Sequence, residues 1–215
     1  MSGNNSSRIK IIGLTGGIAS GKNFVAEIFA QNGAAIFDAD KEVHDLLELD
    51  GSTINQVKEK FPQCFIGQKI ERKILGQIVF ADAKKLQILE AIIHPKIRQK
   101  YQEFLEQARK EKQKVVVLNI PLLLEKEGYE CDLVVSVLAS PSVQKKRFLA
   151  RARRNNPRNF ALEKKGLERK FEHIRSKQMS NKERKARADF VVNSSGSKDL
   201  VRMQVLKFLD LVASD

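Results

Sequence analysis

Ile9-Lys-Ile-Ile-Gly-Leu-Thr-Gly-Gly-Ile-Ala-Ser-Gly-Lys-Asn23 reads as a strand, a glycine-rich turn and the start of a helix. The apolar run Ile9 to Leu14 has the near-continuous hydrophobicity of a strand buried on both faces of a parallel sheet. Gly16, four further residues and then Gly21-Lys22 follow, and apolar residues resume at helical spacing from Phe24 to Phe29. This is the P-loop pattern in its proper context, with a strand before it and a helix after it. Backbone N–H groups of such a loop wrap phosphate oxygens, and the helix N-terminus adds partial positive charge. The expected nucleotide-binding set is Gly17, Ala19, Ser20, Gly21, Lys22, Asn23 and Phe24, with Lys22 reaching the β- and γ-phosphates as a point charge. Asn23 stands where a P-loop normally carries the Ser or Thr that holds Mg²⁺. The plainer alternative, a glycine-rich turn that binds nothing, is disfavoured because strand, spacing, lysine and helix all agree.

Length and charge narrow the function further. A chain of 215 residues fits one α/β domain with an insert or lid, and 42% hydrophobic content suits a globular protein with a sizeable core. No apolar run approaches the ~20 residues of a membrane span. Met1 to Ser7 lack the apolar core of a signal peptide, so 1–8 is expected to be a disordered tail. Cys64 and Cys131 are far apart and match no metal-ligand spacing, which points to a reducing cytoplasm. Between Ser142 and Arg187 stand 17 Lys or Arg against 4 Asp or Glu, an excess equal to the +13 of the whole chain. Nucleic acid, an acidic small substrate or a merely solvated basic helix would each account for that segment.

Along the chain, the first helix is expected from about Lys22 to Gln31, and Ala34–Phe37 as a strand ending at Asp38-Ala-Asp40. Ligands of open α/β sheets sit at the carboxyl ends of strands, so these two carboxylates are placed for chemistry. Their bland role is a helix cap and turn. Helices are expected over Lys41–Leu49 and Thr53–Phe61, a turn at Gly67–Lys69, and nearly continuous helix from Arg72 to Lys112, interrupted at His94-Pro95 with Pro95 opening a new helix. Strands follow at Val115–Ile120, Leu133–Leu138 and Phe190–Val192, with helices from Pro141 to Arg154, through the charged stretch to Arg187, and from Asp199 to Val212. The fold class is α/β: a P-loop nucleoside-kinase-like three-layer fold with a central parallel five-stranded sheet, in a single domain over 9–215. A helical substrate-side insert spans about 41–112 and a basic helix and lid about 142–187.

Several motifs, in order, carry a family resemblance. Thr15-Gly-Gly-Ile-x-Ser-Gly-Lys22, Asp38-Ala-Asp40, His94-Pro95, Pro121-Leu-Leu-x-Glu125 and Gln178-Met-Ser180 with Ala188-Asp-Phe190 resemble dephospho-CoA kinases from Ile9 to about Leu209. The resemblance implies ATP-dependent phosphorylation of the ribose 3′-hydroxyl of dephospho-CoA, with Mg²⁺, in a cytoplasmic monomer or weak oligomer. It places the catalytic carboxylate on Asp40, with Asp38 beside it, and puts Thr15, Asp38 and His94 on the substrate side. Arg147 and Arg151, four apart on one helix face, match arginines that lead into the family's lid. A guanidinium fork there suits a transferring phosphate. Glu125 reads as a helix cap or a ligand.

The chain also departs from the family. Asn23 offers an amide oxygen where a hydroxyl is usual, and an amide oxygen still ligates a hard cation. Asn119 sits where many relatives carry Asp, the lid from Arg151 to Gln178 is longer than usual, and Asp-Asn-Ser-Gly becomes Asn193-Ser-Ser-Gly196. Two other classes compete with the kinase reading. A P-loop protein that binds nucleic acid through the basic segment is disfavoured, because Phe148, Phe160 and Phe171 form no recognisable stacking module. An inactive P-loop scaffold is suggested by the two asparagines.

Overall fold

Strand β1 (Lys10–Gly16) is the centre of a parallel sheet, and its neighbours explain its composition. The structure is a computed structural model that describes residues 9–121, 123–124 and 129–214. The expected tail over 1–8 and the reading of Glu125 fall outside these residues. Two compact units divide the chain: 37–111, and the remainder on either side of it.

In the first unit, β1 pairs with β5 (Val115–Asn119), Lys10 opposite Val115 through Leu14 opposite Asn119. Its other edge pairs with β6 (Leu133–Leu138), Ile12 opposite Leu133 through Gly16 opposite Val137. With β7 (Phe190–Asn193) beside β6 and β2 (Ala35–Asp38) beyond β5, the order among the described residues is β2-β5-β1-β6-β7. The five-stranded α/β sheet read from the sequence is therefore present. Helices α1 (Lys22–Gln31) and α9 (Lys198–Ser214) pack together against it. Val25, Ile28 and Phe29 of α1 meet Val201, Val205 and Phe208 of α9 over Ile12, Leu14, Val117 and Val137. Each such side chain contributes about 1.5–3 kcal/mol by leaving water, which fixes α1, and so the loop before it, on the sheet.

The basic segment folds as α6 (Pro141–Asn155), α7 (Phe160–Ser176) and α8 (Asn181–Arg187). Ser140 caps α6 ahead of Pro141, and Ser180 with Glu183 forms a reciprocal capping box on α8. Phe148 and Phe171 lie 5.6 Å apart and join α6 to α7.

The second unit is helical: α2 (Ala39–Leu49), α3 (Gly51–Lys60), α4 (Arg72–Phe80) and α5 (Ala83–Lys110). Tyr101 and Phe104 of α5 surround the buried Phe37, at 5.7 and 5.5 Å. One expectation is corrected here, and one small element is added to those expected. His94-Pro95 does not divide two helices, since Pro95 lies inside the continuous α5. An interior proline forfeits a hydrogen bond at a cost of about 3 kcal/mol, but Ile93 and Ile97 are both buried and hold the helix on either side of it. The turn at Gly67, φ 62°, joins a short antiparallel ribbon, β3 (Phe65–Ile66) with β4 (Lys69–Ile70). Two-residue strands are too short to leave a periodic signal.

Candidate active site

The loop between β1 and α1 has a shape that its residues enforce. A Cβ at Gly16 would lie 2.5 Å from Ser20 Oγ and 2.8 Å from the Val137 carbonyl, so only glycine passes. Ala19 and Gly21 take left-handed φ angles of 54° and 93°. For alanine that conformation costs about 1–2 kcal/mol, so its neighbours must hold it. Ser20 N–H donates to Gly17 O at 3.1 Å. Arg147 reaches in from α6: its Nη1 donates to Ser20 O and to Ser194 Oγ, each at 3.0 Å, and its Nη2 to Ser194 O at 2.6 Å. Ser194 Oγ itself donates to Ser20 O. The loop is thereby tied to the turn after β7.

What the loop presents suits an anion. Gly21 is the N-cap of α1, and no side chain caps the helix, which leaves N–H donors of the first turn for a ligand. Ser20 Oγ is buried with no hydrogen-bond partner among the described residues. Lys22 is 8% exposed, and its Nζ donates to Asn119 Oδ1 at 2.5 Å. The Asn119 amide oxygen is one of the contacts that orient the ammonium. Asn23 is exposed, and Phe24 packs on the core with Lys198 Nζ 5.4 Å from its ring centroid.

The remaining candidates are distributed unevenly. Thr15 is fully buried; its hydroxyl donates to Pro121 O at 3.1 Å and accepts from Arg184 Nη1 at 3.3 Å. Arg151 is exposed on α6. Asp38, Asp40 and His94 belong to the second unit. Asp38 is the N-cap of α2, accepting from Lys41 N–H at 3.0 Å, and the exposed Asp40 lies in the first turn. His94 is exposed, with Nε2 4.0 Å from Glu90 Oε1. Sequence reasoning gave no role to Arg184, Gln144 or Ser194. Each is buried, and a buried polar side chain in a basic or polar run carries no local signal of what it touches.

A cavity of about 600 Å³ opens beside Gly17, bordered by Gln144, Arg175, Gln178 and Asn181. The larger cavity, about 930 Å³, lies at the amino ends of β1, β5 and β6, by Lys10, Lys114 and Asp132, away from the loop. Ligands of such sheets bind at the carboxyl ends, so the cavity beside Gly17 is better placed for chemistry than this one. Burial, and then the Asp132 charge, push the Cys131 thiol up to about 11, and burial raises Cys64 as well, which disfavours the thiolate at both.

Comparison with known proteins decides the family. The family model described as dephospho-CoA kinase matches residues 10–199. This chain belongs to the dephospho-CoA kinase family. The dephospho-CoA kinase of Bartonella henselae is 41% identical over 92% of this chain and 95% of its own length. The Bartonella quintana enzyme is 37% identical, with 94% and 97% covered. Among solved structures, a Thermus thermophilus protein superposes with a TM-score of 0.79 at 28% identity, covering 95% of this chain and 97% of that one. The dephospho-CoA kinase from Campylobacter jejuni gives 0.62 at 26% identity, with the same coverage. As a member of this family, the chain is a phosphotransferase that takes its phosphoryl group from ATP.

Proposed function

We propose that this chain phosphorylates the ribose 3′-hydroxyl of dephospho-CoA, with the β1–α1 loop holding ATP and Asp40 acting as base. The observation that carries the reading is the loop itself: an α1 terminus with no side-chain cap, beside the buried Lys22 that Asn119 helps to orient. Phosphoryl transfer depends on positioning and charge stabilisation more than on covalent chemistry. Lys22 Nζ neutralises charge that grows on the β- and γ-phosphate oxygens. Asp40 takes the proton of the 3′-hydroxyl as its oxygen bonds to the γ-phosphorus; the bond from that phosphorus to the β,γ-bridging oxygen breaks, and ADP leaves. Asp38, Thr15 and His94 support the acceptor side.

The two arginines take different parts. Arg147 spends its guanidinium on the loop backbone, so we assign it as a brace for Ser20 rather than the phosphate clamp expected from sequence. Arg151, exposed one turn further along, is the clamp. Asn23 fits a divalent ion through its exposed amide oxygen, a hard donor suited to Mg²⁺ beside substrate phosphates. When bound, Mg²⁺ supplies charge neutralisation at the phosphate oxygens. The basic lid meets the phosphates of ATP and dephospho-CoA rather than nucleic acid, and the protein acts in the cytoplasm as a monomer or weak oligomer. No helix among the described residues is long and apolar enough to cross a membrane.

Kinetics of Asp40→Asn and Asp38→Asn test the assignment of the base. Asp40→Asn is expected to lower kcat about 100- to 10,000-fold with little change in ATP affinity. Asp38→Asn retains a cap acceptor for Lys41 and is expected to lose far less. Equal losses would move the role to the pair.

A further inference from the structure

Two glutamines hold the P-loop from opposite ends of the basic segment. Ile18 N–H donates to Gln178 Oε1 at 2.8 Å, and Gln144 Nε2 donates to Ile18 O at 2.9 Å. These bonds fix the two peptides that flank Ile18, immediately before the left-handed Ala19. A Cβ on Gly17 would lie 3.1 Å from Gln144 Nε2 and 3.5 Å from Gln178 Oε1, so both amides close directly over the loop. Gln144 is itself buried, 3% exposed.

Both glutamines are anchored by the lid. Gln144 is in the first turns of α6, the helix that enters the basic segment, and Gln178 follows α7, the helix that returns from it. Gln178 N–H donates to Arg175 O at 3.2 Å. The turn beyond it is pinned twice, by Arg184 Nε on Met179 O at 3.2 Å and by Asn181 Nδ2 on Ala139 O at 2.8 Å. Lys145 Nζ and Glu172 Oε1, 3.9 Å apart, and the Phe148–Phe171 pair bind α6 to α7. The two ends of the lid thus converge on one residue of the loop.

We propose that Gln144 and Gln178 are positioning residues for the nucleotide: they set the Ile18 peptides so that the loop is preformed for ATP, and they couple the loop to the lid. The proposal rests on the assignment of Gly16–Lys22 as the nucleotide loop. Its signature is the direction of the two bonds. Gln178 serves as an acceptor, and a carboxylate accepts as well. Gln144 serves as a donor, and a carboxylate there would set oxygen against the Ile18 carbonyl.

The experiment measures ATP dissociation constants by calorimetry for the unaltered chain, Gln178→Leu, Gln178→Glu and Gln144→Glu, with thermal unfolding and KM for dephospho-CoA in parallel. Gln178→Leu is expected to weaken ATP about tenfold, the upper worth of one neutral hydrogen bond. Gln178→Glu should stay within about threefold of the unaltered protein and Gln144→Glu should lose at least about tenfold, because only the second reverses a donor. KM for dephospho-CoA is expected to hold in all three. A repulsive charge near the triphosphate would penalise both Glu variants alike, so their difference reads the bond direction even if Gln178→Leu fails to fold. Equal ATP affinities for the two Glu variants, or an unchanged affinity in a folded Gln178→Leu, would overturn the proposal. No ATP binding by the unaltered chain would instead overturn the loop assignment beneath it.

Discussion

Lys22 is a buried cation beside Asn119, the last residue of β5. Its Nζ donates to the Asn119 amide oxygen, which helps to set where the ammonium points. At Asn23 one neutral oxygen donor stands in for another, and in the proposed site the difference is one of reach to the metal. A hydroxyl is compact and meets the tight octahedron of Mg²⁺ at about 2.1 Å, whereas an amide is longer and reaches the ion only after a small shift or through water. Asn23→Ser is therefore expected to lower the Mg²⁺ concentration that gives half-maximal rate, titrated at saturating ATP and dephospho-CoA. An unchanged midpoint would remove residue 23 from the metal's shell. At this scale the loop was legible because a P-loop requires those residue types at that spacing. Arg147 was not: its partners Ser20 and Ser194 are 127 and 47 residues away, and helix periodicity shows a face but not what that face meets.

Among the elements, the helical unit carries its own electrostatic tie. Asp50 caps α3, accepting from Thr53 Oγ1 at 2.7 Å, Thr53 N–H at 2.6 Å and Lys96 Nζ of α5 at 3.0 Å. The Thr53 hydroxyl first, then the Lys96 ammonium and the Thr53 N–H, hold its carboxyl well below the usual carboxylate range. A depressed pKa in the folded state means that the unfolded state binds the proton first. The stabilisation is therefore complete above the ordinary value of about 3.9 and is lost as pH falls from there toward the folded value. Chemical denaturation between about pH 5 and pH 3 should show a steeper acid loss for the unaltered chain than for Asp50→Asn; parallel curves would contradict the tie. The cap was not singled out from sequence, although Asp50-Gly-Ser-Thr53 carries the signal of an N-cap. Pro95 misled for a physical reason. A proline usually ends a helix, and only the apolar packing of Ile93 and Ile97 on either side shows why this helix continues.

Over the whole molecule, charge and topology separate two tasks. The parallel sheet with α1 and α9 builds a rigid seat for the loop, and all of the net positive charge resides in the segment from Ser142 to Arg187. That arrangement suits an enzyme whose two substrates are both polyanions, with a fixed phosphate cradle and a basic cover. The five strands of the sheet and most of the helices were legible because apolar runs and glycine punctuation mark them, whereas the strand order came only from the structure. The joining of the lid to the loop through Ile18 was not, since it depends on side chains brought together only by folding. The central claim is that this loop drives phosphoryl transfer to dephospho-CoA. Its most direct measurement is coenzyme A formation from ATP with dephospho-CoA, adenosine or pantetheine phosphate as acceptor, for the unaltered chain and for Lys22→Ala. The account predicts a 3′-phosphorylated product from dephospho-CoA alone, and a loss of about 100- to 1000-fold in a Lys22→Ala protein that still unfolds cooperatively. Near-normal turnover in a folded Lys22→Ala, or no coenzyme A from the unaltered chain, would contradict it.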